Sequence, residues 1–191
     1  MSKTIIVVGC HTRLEYHEDF SNIVYAFEPN PLLFEDISKI EISDTYHVIQ
    51  KAISTKEGEL PFYLHSDSYS SSLKKWGDGP QYGEFTEIIV DVIRLDSFIE
   101  EKGIEKIDYI HIDAQGSDLD VLKSLGKYVD IVEGGELESI APNVKYNLYY
   151  QQPTYDEVKE FLESNGFGIT RVEANTGFLG SDEVNIQFKR K

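Results

Sequence analysis

Two acids stand where apolar runs stop. The run Tyr109-Ile110-His111-Ile112 ends on Asp113-Ala114-Gln115-Gly116, and Val24-Tyr25-Ala26-Phe27 ends on Glu28-Pro29-Asn30-Pro31. His111 and Asp113 are separated by one residue on an extended segment, so their side chains leave the same face. Such a pair can work as acid and base, or form half of a metal site. A buried histidine satisfied by a neighbour gives the same pattern, and an aspartate at a strand end is also a common turn residue. Glu28 precedes a Pro-Asn-Pro segment that fixes its backbone. A carboxylate held there can accept two hydroxyl hydrogen bonds. The other histidines are scattered without metal-ligand spacing, so no metal site is expected. Glu136 and Glu138 alternate onto one face and are either cleft residues or a plain solvated edge.

These residues need strands to carry them. Thr4 to Val8 reads as a central strand, and Gly9-Cys10-His11-Thr12-Arg13 breaks it. Leu14 to Asn22 holds at most about two helical turns. Ile23 to Phe27 is a second strand. Asn30 caps and Pro31 opens a helix whose apolar face is Leu33, Phe34, Ile37 and Ile40. Tyr46 to Ile53 is a third strand, and Thr55–Gly58 turns it into a hairpin with Leu60–Leu64. His65 to Gly83 is a long loop carrying Tyr69 and Trp76, which cover either a ligand or the core. Thr86–Leu95 is a strand, after which Asp96 caps a short helix that Gly103 ends. Ser117 with Asp120 resembles a helix cap after the Asp113 turn. Val129–Glu133 reads as a strand, with Gly134 to Glu138 at or past its end. Thr154 and Glu157 form a capping box. Phe167–Val172 and Val184–Phe188 are two strands joined by residues 174–182 without a helix, so they pair antiparallel at one edge. Alternation of strands and helices over one domain, residues 1–191, predicts a mostly parallel, doubly wound sheet.

Composition narrows the partners. The chain has 191 residues, 40% hydrophobic, enough for a sizeable core. Asp plus Glu number 34 against 18 Lys plus Arg, giving a formal charge of −16. That balance repels nucleic acid and anionic membranes, so neither is an expected partner. No apolar run approaches the ~20 residues that cross a bilayer, and the short start Ile5–Val8 is no signal sequence. A cytoplasmic location is the expectation. The lone Cys10 excludes an internal disulfide and reads as a small buried residue. Nothing in the sequence sets an oligomeric state.

Five blocks in order resemble the FkbM family of methyltransferases. They are Val24–Pro31; Val48–Ser54 with Gly58 and Phe62-Tyr63; Ser71-Ser72-Leu73; Val92–Ser97; and Ile107–Asp113 with Gly116 and Val121–Lys123. The resemblance spans roughly residues 5–190 and implies a Rossmann-like class I fold with an antiparallel C-terminal strand pair. It implies S-adenosylmethionine as cofactor, with Gly9 and Glu28 binding it, Glu28 on the ribose hydroxyls, Ala52 near the adenine and Asp113 on the methyl-donor or acceptor side. The reaction implied is methyl transfer to a hydroxyl of a small-molecule or glycan acceptor, with Asp113 or His111 as the catalytic base.

Two departures cut against that. Where the family has an acid, an asparagine and a second glycine after the first strand, this chain has Val7, His11 and Arg13. Arg13 at a glycine position crowds the cofactor site or repurposes it. Gln115 stands where the family has glutamate and cannot accept a proton. The alternative is therefore an inactive methyltransferase-like protein that binds a partner and has lost its cofactor.

Overall fold

The computed structural model describes residues 2–13, 16, 21–40, 43–79, 83–174 and 182–191. Its strands are β1 Thr4–Val8, β2 Ile23–Phe27, β3 Tyr46–Ile49, β4 Ala52–Ile53, β5 Gly58–His65, β6 Phe85–Ile93, β7 Tyr109–Ile112, β8 Gly134–Ile140, β9 Phe167–Ala174 and β10 Glu183–Arg190. The α-helices are α1 Pro31–Ser38, α2 Leu95–Lys102, α3 Asp118–Ser124 and α4 Tyr155–Ser164.

Seven strands form one sheet in the order β3-β2-β1-β7-β8-β10-β9. β3, β2, β1, β7 and β8 pair in parallel, and β10 runs antiparallel to both β8 and β9. This is the mostly parallel sheet with an antiparallel C-terminal pair that the element order predicts. The reason lies in β1. Its Ile6 and Val8 pack with Phe27, Leu95, Ile99 and Ile112 on one face, while Ile5 and Val7 pack with Ala26, Ile37 and Tyr46 on the other. A strand with both faces apolar and buried belongs in the middle of such a sheet. Cys10 is buried in the second of these cores.

The helix signals mostly hold. Asn30 Oδ1 accepts the Leu32 N–H at 3.1 Å at the start of α1, and Thr154 and Glu157 close a full capping box on α4. Ile40, however, lies past the end of α1 and is exposed. Asp96 is not a cap either: α2 starts one residue earlier, and the Asp96 carboxylate accepts from Arg94 Nε and the Ser97 amide, both at 2.8 Å. The stretches 14–20 and 175–181 fall largely outside the described residues. No helix among the described residues is long and apolar enough to cross a membrane.

Two strand expectations are corrected. The third strand splits, and its end, β4, joins a separate three-stranded sheet of order β4-β6-β5. The Thr55–Gly58 turn therefore closes no hairpin. β6 is long enough to pair with β4 in parallel along one edge and with β5 antiparallel along the other, so it takes the middle place. Residues 126–131 wind into a 3₁₀ helix instead of a strand, and β8 begins only at Gly134. Gly134 and Gly135, expected at or past a strand's end, begin the strand. A side chain on Gly135 would lie 2.1 Å from the Ile110 carbonyl oxygen, so only glycine lets β7 pass so close. Glu136 and Glu138 consequently sit inside a strand, not beyond it.

Candidate active site

Neighbouring β1 and β7 run parallel, with Val7 beside His111 and Val8 beside Ile112. From β1 the chain moves out to β2; from β7 it moves the other way, to β8. At such a reversal the loops diverge and leave a crevice at the carboxyl ends of the strands. Gly9 ends one side of it and Asp113 the other. A cavity of about 780 Å3, open mouth included, lies there, and Gly9, Glu28, Ala52, His111 and Asp113 all line it. Five residues that the sequence scatters over a hundred positions are thus brought together.

Glu28 is buried, 5% exposed, at the end of β2. Its Oε2 accepts the His11 amide and its Oε1 the Asn30 amide, each at 2.8 Å. Burial pushes the carboxyl up to about 7, the Asp113 charge adds to this, and the two amides oppose it. His11 itself has φ +49°, a left-handed conformation rare for a residue with a side chain. At His11 it is the backbone amide, not the side chain, that meets Glu28. The imidazole points into a separate contact: it stacks on Tyr69 at 4.1 Å with 14° between planes, and its Nε2 lies 2.8 Å from Ser68 Oγ. This pins the long loop after β5 across the mouth of the crevice. Arg13 is exposed, lines the mouth and lies with its guanidinium carbon 5.8 Å from the Tyr69 ring centre. It does not fill the interior.

The turn after β7 is built by Asp118, which the sequence pattern does not single out. It is 3% exposed, and its two carboxylate oxygens accept the amides of Ala114 and Gly116 at 3.2 and 3.1 Å. Ser117, by contrast, makes no side-chain cap bond, which corrects the expected Ser117–Asp120 arrangement. Burial drives the Asp118 carboxyl well above the usual carboxylate range, reinforced by the Asp113 charge.

Gln115 occupies the centre of this turn. Its Nε2 donates to Asp113 Oδ1 at 2.5 Å and to Glu138 Oε2 at 3.3 Å. Its Oε1 accepts the Tyr149 hydroxyl at 2.6 Å, and its carbonyl accepts Ser72 Oγ at 2.6 Å. An amide can donate to two carboxyl groups at once; a carboxylate cannot. Glu138 is already pushed well up by burial and by the Asp113 charge, so a third acid between them would be costly. Gln115 is a structural fit, not a simple loss. Glu138 lies behind it, whereas Glu136 accepts Gln187 Nε2 at 2.7 Å on β10. Trp76 packs on Tyr149 and Phe85, so the loop covers the core there.

Tyr149 holds the Gln115 amide from outside the turn, and its hydroxyl oxygen also lies 3.3 Å from the Ser70 carbonyl, which shares the same single proton more weakly. Tyr149→Phe should lower stability by about 1–2 kcal/mol, because Gln115 Oε1 loses its donor. Urea unfolding measures this, and an unchanged midpoint would show that the bond contributes nothing.

Comparisons with known proteins agree with the architecture. Residues 10–169 match the sequence model of the "Methyltransferase FkbM domain". The chain is 24% identical over 180 residues to "Methyltransferase sdnD" of Sordaria araneosa. That alignment covers 79% of this chain and 66% of the relative, so the chain spans just under two thirds of that protein. Among solved structures it is similar to magnesium protoporphyrin IX methyltransferase (ChlM) from Synechocystis PCC 6803 with bound SAM, with TM-score 0.51, 10% identity and coverage of 98% and 69%. A putative S-adenosylmethionine dependent methyltransferase from Listeria monocytogenes gives TM-score 0.51 and 10% identity over 99% of this chain and 91% of that one. The Burkholderia thailandensis 1,6-didemethyltoxoflavin-N1-methyltransferase gives TM-score 0.52 and 10% identity over 98% and 71%. At such identities the likeness speaks for the fold.

Proposed function

Because this chain belongs to the FkbM methyltransferase family, we propose that it is an S-adenosylmethionine-dependent O-methyltransferase acting on a hydroxyl of a small-molecule or glycan acceptor. One observation carries the reading. The residues that the resemblance ties to the cofactor and those it ties to the chemistry line the same cavity, at the switch point of the sheet.

The residues present fit the cofactor. Glu28 offers a buried carboxyl, already oriented by two amides, for a ribose diol. Ala52, Ile53, Phe62 and Leu73 give an apolar wall for a flat base. Ser117 lines the cavity too; it is 2% exposed and its hydroxyl has no partner among the described residues. A buried hydroxyl without a partner is a cost that a ligand relieves. When bound, S-adenosylmethionine supplies an electrophilic methyl group on sulfur. The chain's part is alignment, exclusion of water by the Tyr69 loop, and acceptance of the hydroxyl proton. His111 and Asp113 are the groups for that last role. An imidazole nitrogen or a carboxylate oxygen can accept that proton as the methyl group is transferred.

Isothermal titration with S-adenosylhomocysteine tests the reading. Micromolar binding is expected, and Glu28→Ala should weaken it roughly 30- to 100-fold, the range for losing a charged acceptor. A thermal melt of the variant checks that the loss is not unfolding. No heat at millimolar ligand would end the enzyme reading and leave a partner-binding protein. Release of S-adenosylhomocysteine with hydroxylated small molecules or glycans would then identify the acceptor.

A further inference from the structure

Arg13 stands out electrostatically. Of the four arginines, Arg94 holds Asp96, Arg171 holds Glu173 and Arg190 lies 3.7 Å from Asp130. Arg13 holds no carboxylate among the described residues, in a chain with 34 acidic residues. It is instead carried on the Tyr69 ring, which is itself clamped to His11, and it borders the cavity. An aromatic face under a guanidinium limits its motion and leaves the donor edges open. The cavity's two acids, Glu28 and Asp113, disfavour a polyanion. They suit a ligand whose negative group is single and has a cation beside it.

We propose that Arg13, carried on the Tyr69–His11 stack, binds the carboxylate of the amino-acid end of S-adenosylmethionine, while Asp113 faces its ammonium. This rests on the cofactor reading above and deepens it. The glycine that the family places after the first strand lets backbone approach the cofactor; here a side chain makes the contact, and the stack that supports it comes from the long loop. The altered first motif is therefore a substituted binding mode, not a damaged one.

The test compares two ligands on the full chain: S-adenosylhomocysteine, and 5′-methylthioadenosine, which has the nucleoside and no amino-acid end. Wild type should prefer the first. Arg13→Gln should weaken S-adenosylhomocysteine roughly 10- to 100-fold, as for a charge-assisted pair, and leave methylthioadenosine unchanged. Unchanged methylthioadenosine binding also shows that the variant is folded. The preference should shrink as salt rises, because the pair is exposed. The proposal is overturned if Arg13→Gln weakens both ligands equally or neither. It also falls if Lys51→Gln, at the other cation lining the cavity, removes the preference in its place. If wild type binds neither ligand, the cofactor reading itself fails; if wild type binds both and Arg13→Gln matches it, only the Arg13 assignment fails.

Discussion

Gly9→Ala is expected to destabilise the protein by more than about 4 kcal/mol and to abolish binding in the crevice. Backbone strain and steric contact act independently. Gly9 has φ +80°, where a side chain is strained by about 1 kcal/mol. Contact costs more. A Cβ on Gly9 would lie 1.9 Å from the backbone carbonyl oxygen of Asp113 and 2.9 Å from its carbon. Neither atom can move alone, because the Asp113 amide is bonded to the Val8 carbonyl and the Gly9 amide to the Phe27 carbonyl, both at 2.9 Å. Relief requires β1 and β7 to part at their ends, which are the walls of the cavity. Gly103→Ala separates strain from contact. Gly103 also has positive φ, at +63°, but a Cβ there meets nothing within 4 Å. That variant should cost only about 1 kcal/mol. Urea unfolding of both variants decides the matter, and equal losses would show that the close approach to Asp113 carries no weight.

The same contact explains what the sequence could and could not convey. Apolar runs, the Asn30-Pro31 start and the Thr154–Glu157 box encode strands and helices locally, and apart from the split third strand and the 3₁₀ turn at 126–131 they are where expected. The order of elements then gives the parallel sheet and the antiparallel end, since handedness and connection rules leave few alternatives. Glu28 and Asp113 were visible because each is an acid at the end of an apolar run. What stayed hidden are pairings between distant segments. β4 joins β6 and not β5, and nothing in Ala52-Ile53 announces it. Nothing in the sequence pattern singles out Asp118, yet its carboxylate folds backward onto the amides of Ala114 and Gly116. Tyr149 lies 34 positions from Gln115, in a stretch without period, and still supplies its hydrogen-bond donor. His11 and Arg13 looked like damage because a motif comparison sees side chains. The function of His11 toward Glu28 is carried by its backbone amide.

Acidification from about pH 8 to about pH 5.5, toward the isoelectric point of about 4.6, should stabilise this protein. The cause is a group of buried carboxyls around Asp113. Burial, then the Asp113 charge, pushes Glu183 from 4.5 to about 7, against a hydrogen bond from Gln152. Burial first also pushes Glu28 from 4.5 to about 7. Asp118 and Glu138 are displaced the same way, by burial and then by Asp113. A carboxyl with a raised folded pKa holds its proton more tightly in the native state than when unfolded. Its stabilisation is complete below about pH 4.5 and is lost as pH rises through about 7. Each of the two groups at about 7 contributes up to about 3 kcal/mol between about pH 4.5 and 7, of which about 2 kcal/mol falls above pH 5.5, at about 1.36 kcal/mol per pK unit. Carboxylates displaced downward, such as Asp96, Asp108 and Glu157, act in the opposite sense and only at lower pH. His11, lowered by burial, opposes the trend inside the window, but it is one group against four. Lower net charge on acidification adds to the effect. Glu183→Gln isolates one member, because glutamine keeps an acceptor for Gln152 and cannot ionise. The variant should melt higher than wild type at pH 8, with a gap that narrows toward pH 5.5 and closes only below about pH 4.5, and show a flatter dependence between. Wild-type melting that falls on acidification over this range would contradict this origin of the slope. If Glu183→Gln lowers stability at pH 8, the ionised Glu183 carboxylate is stabilising in place, and its burial does not set the slope.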